Sequence, residues 1–314
     1  MQLNGRLLVL LFFFIPLLSC SSQDEYVENY VIINNIEKKD TVFFSYDHFM
    51  NLAPSASSSQ GAACYGDFFF QGFAGNAIID IYDLKKKEKI AKINNPYRGN
   101  NTHANSICFG NIKYEPTDYF PLLYICSGYT SKIEGIPCSF IYIYRIVKKE
   151  TENGGEDFSM EYLNKIILKD MGTWTEGIID NDNDVLWVKY EPNGTPGEYR
   201  YASFPVPNFE KEDVTLTPND ALTDFSIGVQ PFSSSNQGHL YYKDRILLVS
   251  GTSPSLQKLA FISINTKSLS REFVVDIAKL GFREEPESIC CYGDDIMIGS
   301  ATSLYKVSFN VVKP

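Results

Sequence analysis

The sequence predicts an all-β fold, a propeller of four-stranded antiparallel blades, and three observations carry that expectation. Helical periodicity is almost absent along the 314 residues, while short runs of β-branched and aromatic side chains recur between Gly, Asn, Asp and Pro turns. A short motif repeats five times. Each copy is followed by further strand-like segments in the same order, the pattern left by sheets repeated around a central axis.

The clearest copies are Gln60 to Asp67 (QGAACYGD), followed by FFFQGF, and Glu287 to Asp294 (ESICCYGD), followed by DIMIGS. Two more are Gln237 to Asp244 (QGHLYYKD) before RILLVS and Glu176 to Asn183 (EGIIDNDN) before DVLWVKY. In the fifth, Ala104 to Asn111 (ANSICFGN), the insertion IKYEPTDYFP delays the second strand to LLYIC. A polar residue and a small one open an inner strand, a hairpin turn reverses the chain, and an apolar strand follows. Third strands read as AIIDIYDL, FIYIYRI, EYRYASFP, KLAFISIN and SLYKVSF; fourth strands read as EKIAKI, YLNKIIL, DVTLTP and REFVVDI. The last repeat shows no fourth strand after SFNVV, and Tyr30 to Asn34 (YVIIN) is expected to supply it. Closure by an N-terminal strand would remove an exposed sheet edge. Five blades fit best, although segments 41–52 and 220–232 leave room for a sixth.

The N-terminus carries a different signal. Arg6 precedes an apolar run, Leu7 to Leu18, that is shorter than the span of about 20 residues a membrane helix needs. It ends in Leu17-Leu18-Ser19-Cys20, which resembles the lipobox of bacterial lipoproteins. That resemblance implies a signal peptide over 1–19, lipidation of Cys20, a tether over 20–29 and the propeller over 30–314. The following Ser21-Ser22-Gln23-Asp24-Glu25 resembles the export signal of surface-exposed lipoproteins in Bacteroides-type bacteria, implying a place on the outer membrane facing outward. A membrane, reached through the lipid, is thus an expected partner. Nucleic acid is not, because a formal charge of −10 repels phosphates.

Six cysteines remain after Cys20, in a compartment where disulfides are allowed. Cys126 and Cys138 flank a short segment between two strand-like runs, where a cross-hairpin disulfide and two free thiols are both compatible. Cys64, Cys108 and Cys291 share one place in the repeat and read as small buried apolar groups.

The residues opening the inner strands converge on one mouth of the central channel. By the repeat they are Gln60, His103 with Asn105, Glu176, Gln237 and Glu287, and Trp174 stands beside them as an aromatic able to stack on a ligand. A polar, water-filled lining explains such a ring by itself. A sharper reading is a ligand site, and a divalent cation held by His103, Glu176 and Glu287 is its one cofactor variant. Asp180, Asp182 and Asp184 have the alternate spacing of a calcium loop, but Val185 stands where that loop needs Gly, so a hairpin turn is expected. His48 and His239 read as ordinary loop or core residues.

The Gln-Gly opening, apolar strand and Ile81-Tyr82-Asp83-Leu84-Lys85 segment resemble the blade signature of secreted quinoprotein-like and YVTN-like propellers, which implies architecture only. The Gln-Gly and Glu-Gly openings also resemble those of five-bladed glutaminyl cyclotransferases, although His103-Ala104-Asn105-Ser106 replaces that family's Gly-Glu-Gly. The expected function is a lipid-anchored propeller that binds a glycan or peptide at the channel mouth. The alternative is a glycan-active enzyme using Glu176 and Glu287, since two facing carboxylates are the minimum for glycoside hydrolysis.

Overall fold

Alternating apolar runs separated by tight turns can bury their faces only by stacking sheet on sheet, and five such sheets arrange themselves around one axis. The computed structural model describes residues 25–31 and 38–312, less 76–77, 97–102, 134, 196, 210–211, 230–235, 244, 254–255, 266–271 and 280. The expected signal peptide, Cys20 and residues 21–24 of the expected tether lie outside the described residues.

In chain order the strands begin with β1 (Glu25–Val31) and β2 (Lys38–Asn51). Then come β3 (Ser59–Tyr65), β4 (Phe68–Phe73), β5 (Ile78–Asp83) and β6 (Glu88–Asn94), which form the first blade. The second is β7 (Ala104–Phe109), β8 (Leu123–Ile133), β9 (Ile136–Glu150) and β10 (Glu156–Lys169). The third begins with β11 (Thr173–Asp180), β12 (Val185–Glu191) and β13 (Glu198–Pro205). After them β14 (Val214–Leu216) adds in parallel to the outer edge of β10, and β15 (Thr223–Val229) completes the third blade. The fourth is β16 (Asn236–Tyr242), β17 (Arg245–Ser250), β18 (Lys258–Ser263) and β19 (Glu272–Val275). The last contains β20 (Ser288–Tyr292), β21 (Asp295–Gly299) and β22 (Ser303–Val312). The protein is therefore a five-bladed β-propeller.

The ring closes through β2, which pairs antiparallel with β22 from Thr41 opposite Val312 to Asn51 opposite Ser303. This corrects the expectation for Tyr30 to Asn34. Tyr30 and Val31 lie in β1, one strand further out, and 32–34 fall outside the described residues. The reason is length: β2 offers a ten-pair ladder to β22, far more than a five-residue segment can. The same pairing absorbs segment 41–52, so it starts no sixth blade. The described part of segment 220–232, up to Val229, is absorbed too, because Phe225 and Ile227 of β15 alternate into the core beside Trp187 and Tyr201. DVTLTP, expected in that place, contributes only the three half-exposed residues of β14.

Each seam between blades holds its own apolar core. Phe68, Phe70 and Ile81 meet Ile107, Phe109 and Leu123 between the first and second blades. Tyr124, Ile141 and Ile143 meet Leu186, Val188 and Phe204 at the next. Ile178 and Trp187 face Ile246 and Leu248, Leu247 and Phe261 face Ile289 and Ile298, and Met297 and Cys290 face Ala62 and Phe69. Inner strands consequently crowd the axis, β3 against β7 and β20, and β11 against β7 and β16.

Of the two alternatives left open for Cys126 and Cys138, a bridge or two thiols, the structure has the thiols. The β8–β9 register sets Cys126 opposite Ile141 and Cys138 opposite Ser131, so the two sulfurs do not face each other. Cys126 instead donates its S–H to the Thr175 carbonyl at 3.1 Å.

Gly238 shows how tight the axis is: a Cβ there would lie 2.9 Å from Ser288 Cα and 3.1 Å from Ile289 N, both backbone atoms of the neighbouring inner strand. Because backbone cannot swing aside, Gly238→Ala is expected to destabilise the fold by about 1–3 kcal/mol. Urea unfolding measures this, and a variant as stable as the parent would contradict the crowding.

Candidate functional site

Where the five inner strands start, their polar openers surround a chamber of about 310 Å³ at one mouth of the channel. Gln60, His103, Glu176 and Gln237, named from the repeat, line it together with Trp174. Asn105 lies in β7, just after His103. Glu287 is buried but does not line the chamber; it accepts a 3.4 Å hydrogen bond from Gln60 Nε2. The proposed carboxylate pair Glu176 and Glu287 therefore does not share this space. Nor do His103, Glu176 and Glu287 form a metal-ligand set: no group of three or more His, Cys, Asp or Glu among the described residues is arranged to hold an ion. Each glutamate is already engaged, Glu287 by Gln60 and Glu176 by a histidine.

That histidine is His239, and its role departs from the reading as an ordinary loop or core residue. It occupies the third place of the fourth repeat, aligned with Ala62, Ser106, Ile178 and Ile289, so the repeat pattern alone gives a site no reason to expect an imidazole there. Its Nδ1 bonds Glu176 Oε2 and its Nε2 bonds the Tyr201 hydroxyl at 2.8 Å. All three side chains are buried. In the neutral tautomer that fits, Nδ1–H donates to the carboxylate and Nε2 accepts from the phenol. Glu176 is thus oriented from behind while its chamber face stays available.

Directly across the β11–β12 ladder from Glu176 is Lys189, whose ammonium is almost wholly buried. It donates to the Trp174 carbonyl at 3.2 Å and to Glu191 Oε1 at 3.0 Å, and it stands 4.2 Å over the Tyr199 ring. These contacts replace the water a buried cation loses. Glu191 in turn accepts from the Gly197 N–H at 3.3 Å. The period-2 pattern of VLWVKYE places Lys189 and Glu191 on one face of β12, and that alternation was a signal for them once the facing strand was known.

Trp174 rims the chamber with 43 % of its surface exposed. Its backbone is left-handed at φ +56, a conformation that costs a bulky residue on the order of 1–3 kcal/mol. Two residues earlier Gly172 (φ +73) fits so closely that a Cβ would sit 1.8 Å from the Glu191 carbonyl oxygen. The loop thus holds the indole against its own preference, edge to face with His103 at 5.6 Å. Asn236 of β16 also lines the chamber, and neither polar atom of its buried amide has a partner among the described residues. Asp180, by contrast, accepts the N–H groups of Asp182 and Asn183, which makes DNDND the expected hairpin turn.

No family model and no curated protein matches the chain. Solved structures do. The PQQ-bound aldose sugar dehydrogenase of Streptomyces coelicolor aligns with TM-score 0.50 at 11% identity, over 85% of this chain and 98% of that one. The glutaminyl cyclase of Myxococcus xanthus aligns with TM-score 0.48 at 12% identity, over 85% and 97%. The WD40 domain of Toxoplasma gondii coronin aligns with TM-score 0.42 at 10% identity, over 92% and 89%. At such identities the likeness is one of fold alone.

Burial, reinforced by Glu285, pushes the Glu287 carboxyl up to about 8. The folded chain then keeps a proton that the unfolded chain releases above about pH 4.5. Stability from this group is accordingly undiminished below pH 4.5, falls by about 1.4 kcal/mol per pH unit across the window, and levels off above pH 8. Glu287→Gln should match the parent's melting temperature near pH 4.5 and exceed it near pH 8. Parallel melting curves across that range would show the carboxyl to be ionised at neutral pH.

Proposed function

We propose that the protein is an extracytoplasmic, lipid-anchored propeller that binds a saccharide unit in the polar chamber at its channel mouth. The observation that carries this reading is the chamber's composition. A carboxylate oriented by His239 and Tyr201, a buried ammonium, three amide side chains and an aromatic face on the rim supply the mixed donors, acceptors and stacking plane that hydroxyl-rich ligands need. The strained Trp174 backbone supports a functional demand on that ring. A peptide end is the other ligand class that such donors and acceptors fit.

The lipobox supports placing the propeller on the outer membrane, and the acidic stretch after Cys20 supports its outward face. With Cys20 only five residues before β1, the propeller would ride close to the lipid. Cells fed an alkyne fatty acid should label the parent chain and leave Cys20→Ala unlabelled; equal labelling would remove the anchor.

Binding is tested with a glycan array followed by titration of the best hit. Loss of ring stacking in Trp174→Ala should weaken affinity about tenfold, and Glu176→Gln should weaken it as well. Unchanged affinity in both variants for every array hit would place the ligand elsewhere. A second reading, a glycan-active enzyme, is favoured by one observation: the buried carboxylate, imidazole and phenol chain behind Glu176 resembles the support given to a general base. Its acidic pair would be Glu176 and Glu191, which share the chamber, and product formation from a polysaccharide panel that disappears in Glu176→Gln is its signature.

A further inference from the structure

Below the polar chamber the inner strands enclose a second space of about 210 Å³, largely apolar and with four cysteines in its wall, Cys64, Cys108, Cys290 and Cys291. Two of them meet. Cys64 Sγ of β3 lies 3.2 Å from Cys290 Sγ of β20, although 226 residues separate them in sequence. Strand alternation explains why Cys290 and not Cys291 is the neighbour: Cys290 turns into the seam with the first blade beside Ala62 and Met297, whereas Cys291 turns toward the fourth blade beside Leu247 and Ile289. Cys126 is occupied by the Thr175 carbonyl, and Cys108 lies 3.7 Å from the Gly177 carbonyl.

We infer that Cys64 and Cys290 form a disulfide that staples the first blade to the last. In the reaction each thiol gives up its hydrogen and one S–S bond forms between them. The oxidant, a small-molecule or protein disulfide, has its own S–S bond broken and leaves as two thiols. The contraction needed is small, because the sulfurs must move from 3.2 Å to a bond length of about 2.05 Å. The staple would act on the seam between the first and last blades, alongside the Gln60 to Glu287 hydrogen bond near the start of the same two inner strands. It would close one of the longest loops the chain permits, the case in which a cross-link restricts the unfolded state most. The Cys64 thiol beside it, together with burial, holds Cys290 well above the usual thiol range. Thiolate attack is therefore slow in the closed ring, and the bond forms as the inner strands come together during folding.

The test is to refold the denatured, reduced full chain in glutathione disulfide and glutathione, block remaining thiols with an alkylating reagent, and map peptides by mass spectrometry. The expected result is a linked pair of peptides, one holding Cys64 and one holding Cys290, that persists in Cys291→Ala and is lost in both Cys64→Ala and Cys290→Ala. The oxidised parent should melt several degrees above its reduced form, and Cys64→Ala should melt at one temperature under both conditions. Full alkylation of Cys64 in refolded protein, or a link that vanishes in Cys291→Ala, would overturn the proposal. These readouts involve no ligand, so they stand apart from the binding reading.

Discussion

The structure depends on closing a ring of five sheets. Each blade buries one face against the next, and five separate apolar cores line the seams. A chain running once around the axis leaves one seam whose two sides are far apart in sequence. The long ladder of β2 on β22 ties that last blade together from both ends of the chain, and Met50 and Leu52 bury themselves beside Leu304 and Met297. Once the ring is closed the inner strands have no room to diverge. That constraint forces small residues where strands touch, as at Gly238, and it gathers the polar residues that open those strands into one chamber.

Such convergence makes chemistry from parts that are individually ordinary. Glu176 belongs to the third blade, yet its imidazole partner comes from the fourth and the phenol behind that from the third. Lys189 would be costly to bury alone; it is accommodated because Glu191, the Trp174 carbonyl and the Tyr199 ring surround it. Glu287 takes the other course. With burial and Glu285 nearby and Gln60 as its side-chain partner among the described residues, it is held protonated near neutrality and contributes packing rather than charge.

Much of this was legible in the sequence, for reasons of periodicity. The repeat names the five inner strands correctly, and four of its six mouth residues, Gln60, His103, Glu176 and Gln237, line one chamber together with Trp174. Reading failed where the repeat is silent. His239 stands at a position that carries Ala, Ser or Ile in the other blades, so its bond to Glu176 appears only when adjacent blades are set side by side. The choice between a bridge and two thiols at Cys126 and Cys138 stayed open because spacing does not set register: the β8–β9 ladder offsets the two residues. Likewise DVTLTP and Thr223 to Val229 are both strand-like, and only the core contacts of Phe225 and Ile227 decide which completes the third blade.

The central claim, that β2 closes the ring and thereby holds the channel in shape, is tested most directly by native-state hydrogen exchange resolved by mass spectrometry. The account predicts that amides of β2 from Thr41 to Asn51 and those of the inner strands β3 and β20 become exchangeable in one cooperative opening, with the same free energy. Rapid, independent exchange of β2 while β3 and β20 remain protected would show that the ring stands without it, and would contradict the account.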